Sequence, residues 1–220
     1  MGFIFELGPD DDATHNIIFD WQAQHPEVSV FDARIDTSGE HHEHPEGHRK
    51  WSYPKYQKMI EMRNNLLERV RCIGPEKYFS LDSDILLQDK TTIEQLWELT
   101  EREHIDAVSP LMYMTPKGTE YPSVMSWVPG PPGKARRVHE QYNIGKLFQA
   151  DVIMAAKMMS KPVYNTINYS FNKQGEDLGW SEECAKNDFK LWSASYLHGA
   201  HIMSRNDLER FLIHGDERIP

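Results

Sequence analysis

Residues 78–84 read Tyr78-Phe79-Ser80-Leu81-Asp82-Ser83-Asp84, a compact apolar run that delivers two carboxylates at its C-terminal end. A short run of this kind predicts a strand buried in a sheet. Open α/β sheets gather their ligands beyond the carboxyl ends of the strands, and paired carboxylates there can hold a hard divalent cation through oxygen. The motif alone is weak, since Asp10 and Asp12 form a second Asp-x-Asp and a turn with solvated acids looks the same. Its neighbours must decide.

Upstream, Met59, Ile60, Leu66, Leu67 and Val70 fall on one side of a helix that starts near Tyr56, and Arg63 lies inside that stripe. A guanidinium on a buried face cannot shed its charge and must find an anion. That anion is either a structural carboxylate or the phosphate of a substrate. Further upstream, Phe3-Ile4-Phe5 reads as a strand, Ile17, Ile18 and Trp21 recur at helical spacing, and His25-Pro26 stops that helix before the strand Val28-Ser29-Val30-Phe31. The alternation β, α, β predicts an α/β fold with parallel strands. Residues 37–54 form a polar loop carrying His41, His42, His44 and His48, which is either a metal-binding cluster or a solvated substrate-side segment.

Downstream, Thr91 and Glu94 predict a capping box for a helix with Ile93, Leu96, Trp97 and Leu99. Strands are expected over Ile105 to Val108 and over Asp151-Val152-Ile153-Met154. Between them, residues 115–137 are rich in Gly and Pro and carry Lys134, Arg136 and Arg137, which reads as a mobile basic loop. Ser181-Glu182-Glu183 suggests the start of a helix running to about Lys190. A last helix, capped by Ser204, would use Leu208, Phe211 and Leu212.

The 220 residues, 39% of them apolar, suffice for one core, so a single domain over 1–220 is expected. A net charge of -10 argues against a broad nucleic-acid footprint. Cys72 and Cys184 are far apart and in no metal-type spacing, which suggests reduced, structural thiols. No run of about eighteen apolar residues is present, and the N-terminus lacks the features of a signal peptide, so a cytoplasmic chain without a membrane span is expected.

Two more segments carry chemistry. Gln174-Gly175-Glu176-Asp177-Leu178-Gly179-Trp180 sets adjacent carboxylates between glycines that let backbone approach a ligand, or else supplies acids to a helix start. His198-Gly199-Ala200-His201 offers an imidazole to a metal site, although a histidine here is also an ordinary structural residue.

In this order the segments resemble the GT-A glycosyltransferases, especially the inverting family-two-like enzymes, and in Arg63-Asn64 and Leu81-Asp82-Ser83-Asp84 they are similar to the fungal mannan polymerase subunits. The resemblance spans nearly the whole chain. It implies a Rossmann-like sheet flanked by helices. The turn Glu6-Leu7-Gly8-Pro9-Asp10-Asp11-Asp12-Ala13-Thr14 matches the family's Glu-Asp-Gly-Ser-x-Asp-x-Thr imperfectly, with Leu7 where many members have an acid that touches the base. The chain also opens at what looks like the family's second strand, as though the usual first βα unit were missing or truncated.

The resemblance further implies a nucleotide-sugar donor, a UDP- or GDP-sugar, with its diphosphate on Mn2+ or Mg2+ held by Asp82, Asp84 and His201. Glu6, Gly8, Arg63 and Asp82 would bind the donor. Asp177, or Glu176, would act as base on the acceptor, a glycan, protein, lipid or hydroxylated DNA base. The rival readings are a sugar-phosphate nucleotidylyltransferase, whose glycine-rich N-terminal loop is absent here, and a degenerate GT-A domain that only binds.

Overall fold

Alternate residues of a strand share a face, and Phe3 and Phe5 use theirs to grip one indole. The Trp21 ring meets Phe3 at 5.2 Å and Phe5 at 5.6 Å between centroids, both edge-on. This packing fastens helix α1 (Thr14–Gln24) to strand β1 (Phe3–Leu7). The chain then returns as β2 (Val28–Asp32), parallel to β1, with Phe5 opposite Val30. The computed structural model describes residues 2–7, 13–32, 53–102, 104–113, 124–125, 127–128, 136–137, 145–173, 175–202 and 208–209. Gly8, Asp10 to Asp12, the His41 to His48 cluster, Lys134 and most of the expected last helix lie outside them.

The contacts divide the chain into two compact units. The first comprises Met1–Ile73 with Tyr169–Glu176, and the second Gly74–Asn168 with Asp177–Pro220. In the first, α2 (Tyr53–Ile73) follows β2 and buries Leu67 and Val70 from the expected stripe. Arg69 lays its guanidinium over the Phe31 ring, 4.0 Å from the centroid, a favourable cation–π placement.

The second unit holds β3 (Lys77–Leu81), β4 (Ile85–Leu87), α3 (Thr92–Leu99), β5 (Ala107–Tyr113), β6 (Val124–Met125), β7 (Trp127–Val128), β8 (Arg136–Arg137), β9 (Leu147–Ala150), β10 (Val152–Ile153), β11 (Ala156–Ser160) and α4 (Lys161–Thr166). It ends with α5 (Glu176–Lys186), whose first residue belongs to the other unit, and β12 (Leu191–His201). The main sheet runs β3-β11-β5-β12-β4, with β9 also on β12. Its strands are mixed: β12 is parallel to β5 but antiparallel to β4 and β9, and β11 is antiparallel to β3 and β5. Against it, Leu96 and Leu99 of α3 pack with Ile105, Val108, Met158, Ala194 and Leu197. Each such aliphatic side chain contributes about 1.5–3 kcal/mol on burial.

Several expectations change. β3 ends the order of described strands, so only Ser80 of it is buried and Leu81 is exposed. The capping box does not form, because the Asp89 carboxylate takes both the Thr91 N–H at 2.8 Å and the Thr91 hydroxyl at 2.7 Å. Arg136 and Arg137 are not loop but strand, paired with Val128 and Trp127. Helix α5 begins at Glu176 rather than Ser181, which is buried within it. No helix among the described residues is long and apolar enough to cross a membrane.

Gly199 of β12 lies where a side chain has no room. A Cβ there would come within 2.5 Å of Met112 Sδ, 2.7 Å of Met112 Cε and 3.0 Å of the Leu86 carbonyl oxygen, and Met112 is itself fully buried. Gly199→Ala should therefore cost about 1–3 kcal/mol through overpacking. Thermal unfolding checks this, and a melting temperature equal to the parent's would show that Met112 moves aside freely.

Candidate active site

The acids after β3 are placed by backbone hydrogen bonds. Asp82 N–H donates to the Ala155 carbonyl at 3.0 Å, and Ile85 N–H donates to the Asp82 carbonyl at 3.2 Å, closing a turn that sends the chain into β4. The register of β4 on β12 sets Ile85 opposite His201, and Ile202 N–H donates to the Asp84 carbonyl at 2.8 Å. Residues 117 apart in sequence thus meet: His201 Nε2 donates to Asp84 Oδ2 at 3.0 Å. The other ring nitrogen, Nδ1, is buried and has no hydrogen-bond partner among the described residues.

Asp84 and His201 offer a carboxylate oxygen and an imidazole nitrogen from one end of the sheet. Asp82 does not complete a three-ligand cluster with them, for no group of three His, Cys, Asp or Glu side chains gathers among the described residues. The turn explains this, because Asp84, not Asp82, is the residue bonded to the end of β12. Two protein ligands still suit a cation held mainly by substrate phosphates, as Mg2+ commonly is. A carboxylate and an imidazole are donors of the kind that bind divalent cations.

The Gly175-Glu176-Asp177 segment is shaped by its own turn. Gly175, at φ 133°, adopts a backbone that other residues rarely take, and its N–H donates to the Asn172 carbonyl at 3.1 Å. Helix α5 starts directly afterwards, so both acids lie in its first turn, where the helix dipole favours negative charge.

Within the first unit, Arg63 Nε donates to Glu176 Oε1 at 3.2 Å, with side chains 11% and 9% exposed. Its guanidinium also lies 5.2 Å from the Tyr169 ring centroid. Asn64 brackets the same residue, donating from Nδ2 to the Tyr169 carbonyl at 3.0 Å and accepting the Tyr169 N–H on Oδ1 at 2.8 Å. Of the two anions open to Arg63, the structure supplies a protein carboxylate. The Tyr56 hydroxyl is pushed up by burial and then by the charge of Glu176. Glu6 contributes backbone to β1 opposite Phe31, its side chain lying outside the described part, as does Gly8.

Within the second unit, Asp177 is held by a residue that the sequence reading misses. Lys157, in the middle of β11, donates from Nζ to Asp177 Oδ1 at 2.5 Å. Its ammonium also lies 4.8 Å from the centroid of the buried Trp180 ring. The signal is present in Ile153-Met154-Ala155-Ala156-Lys157-Met158-Met159, a lone cation inside an apolar run. The logic that demands an anion for Arg63 demands one here as well.

No protein-family model matches the sequence, and no curated protein does. Among solved structures the fold is similar to a crystal structure of GalNAc-T7 with UDP, GalNAc and Mn2+, at a TM-score of 0.59 and 9% identity, over 94% of this chain and 38% of that one. The present chain thus spans well under half of its neighbour. The shared architecture is the α/β fold of the GT-A glycosyltransferases, a mixed sheet flanked by helices.

Because Arg63 and Glu176 are both almost buried, removing one of them takes an ion-pair partner from the other. Arg63→Leu should destabilise the chain by about 3–5 kcal/mol, while the double change Arg63→Leu with Glu176→Leu should recover most of it. Chemical denaturation of the two variants and the parent measures the difference. Equal stability of the single variant and the parent would remove this pair from the framework.

Proposed function

We propose that the chain is a metal-dependent glycosyltransferase that moves a sugar from a nucleotide-sugar donor to an acceptor hydroxyl with inversion. The observation that carries this reading is the Asp84–His201 pair, set at one end of a GT-A sheet by the β4–β12 register. The neighbouring structure, of GalNAc-T7 with UDP, GalNAc and Mn2+, supports a UDP-sugar donor and Mn2+. The motif Asp82-Ser83-Asp84 supports glycosyl transfer without choosing the donor.

With Asp82 in the same turn but outside the pair, Asp84 and His201 would hold the cation. When bound, it offsets the negative charge that develops on the departing diphosphate. Asp177 accepts the proton of the acceptor hydroxyl as that oxygen attacks the anomeric carbon. The bond from this carbon to the diphosphate oxygen breaks, and the nucleoside diphosphate leaves with the electron pair. A single displacement of this kind inverts the anomeric configuration. Arg63 holds Glu176 and lies against the Tyr169 ring.

The test is thermal stability with a panel of UDP- and GDP-sugars, with and without Mn2+, followed by detection of the released product. The proposal expects stabilisation that needs both metal and donor, because a ligand bound only to the native state raises its stability by mass action. It expects released nucleoside diphosphate, whereas pyrophosphate would identify nucleotidyl transfer instead. Asp84→Ala should abolish the metal-dependent shift and leave the fold intact. Asp177→Asn should lower kcat by a factor of about 100–10,000 with donor KM near the parent's. Donor binding that ignores Mn2+, or metal-dependent binding without turnover, would sink the catalytic reading.

A further inference from the structure

A carboxylate that serves as a base must be ionised at working pH, and burial opposes this by penalising the charged form. Asp177 is 13% exposed, so desolvation alone would favour its neutral acid, which cannot accept a proton. Facing it is Lys157, whose side chain is 1% exposed. Lysine is among the residues least often buried, and an ammonium without water has to be paired to be tolerated. Strand β11 sits between β3 and β5, and its residues Ala156, Met158 and Met159 are buried apolar side chains. An aliphatic residue at position 157 would suit such a strand without the cost of desolvating two ions. The cation is therefore a feature that packing does not call for.

We infer that Lys157 is a positioning residue for the proposed base: its ammonium fixes Oδ1 of Asp177 and keeps that carboxylate ionised in a nearly dry setting. The inference rests on the reading of Asp177 as the acceptor base. Trp180 supports the arrangement from α5, its ring face lying against the ammonium and offsetting part of the lost hydration. Beside Lys157, the charges of Asp106 ahead of β5 and Glu183 on α5 act on Cys184, also on α5. Burial pushes the Cys184 thiol up, leaving it neutral, so it does not compete with Asp177 for the ammonium.

The experiment is the pH dependence of kcat for the full chain carrying Lys157→Met, with the folded fraction and donor KM measured alongside. Loss of the ammonium should move the acidic limb of the profile upward by about one pH unit or more and lower kcat at neutral pH. Donor KM and the metal-dependent thermal shift should hold. Lys157→Gln, which keeps a hydrogen-bond donor without the charge, is measured beside it in case the Met variant does not fold, and should show the same displaced limb. A folded variant of either kind with the parent's limb and kcat overturns the inference, provided that Asp177→Asn is inactive. A parent chain without transfer, or an Asp177→Asn chain with full transfer, overturns the base assignment and the inference together.

Discussion

Arg63 and Lys157 carry charges into places that water barely reaches, and consecutive carboxylates, Glu176 and Asp177, neutralise them. A buried ion left alone costs several kcal/mol, whereas an ordinary hydrogen bond contributes about 1 kcal/mol. These pairs therefore constrain the chain more than any neutral contact near them. In the first unit the constraint is reinforced by Asn64, which takes both backbone groups of Tyr169 and ties residues 169–176 to α2. In the second it joins α5 to the interior of the sheet. The turn at Gly175 and the start of α5 lie where the carboxylates can reach their cations.

The candidate metal ligands depend on a different constraint, the pairing of strands. Neither Asp84 nor His201 selects its partner by local structure, since the β4–β12 ladder aligns them. Side chains alternate between faces along a strand, so a slip of one residue in that ladder would turn His201 to the opposite face and dissolve the pair. Gly199 lies in the same short ladder and has no space for a methyl group, which makes the register stringent.

Much of this was legible before any coordinates. The apolar stripe of α2, the strand leading to Asp82, and the demand of Arg63 for an anion follow from periodicity and desolvation. Which anion satisfies Arg63 does not follow, because Glu176 lies 113 residues away and only the tertiary fold joins them. Strand β11 is hidden by its lysine, which breaks an apolar run that otherwise reads as buried. Strand β12 is hidden by polar composition: Ser193 and Ser195 are fully buried, and its pairing shifts register between Ala194 and His198. The capping box at Thr91 fails for a local reason, since Asp89, a charged acceptor two residues away, takes the Thr91 N–H in place of Glu94. The partners of Arg63 and Lys157 are supplied by the fold, that of Thr91 by its sequence neighbour.

The placement of β12 has a consequence for how the chain comes into being. A ribosome releases residues 77–113 long before residues 191–201, yet β4 and β5 both pair with β12. Until that strand emerges, β5 presents an unfilled edge and β4 has no described neighbour. Nascent chains with open strand edges are prone to pair with the wrong partner, and sheets closed by distant segments form slowly. Sheet completion is thereby deferred to the late stages of translation, and interruption of synthesis before Leu191 would yield a product suited to chaperone capture or aggregation rather than to a partly working domain.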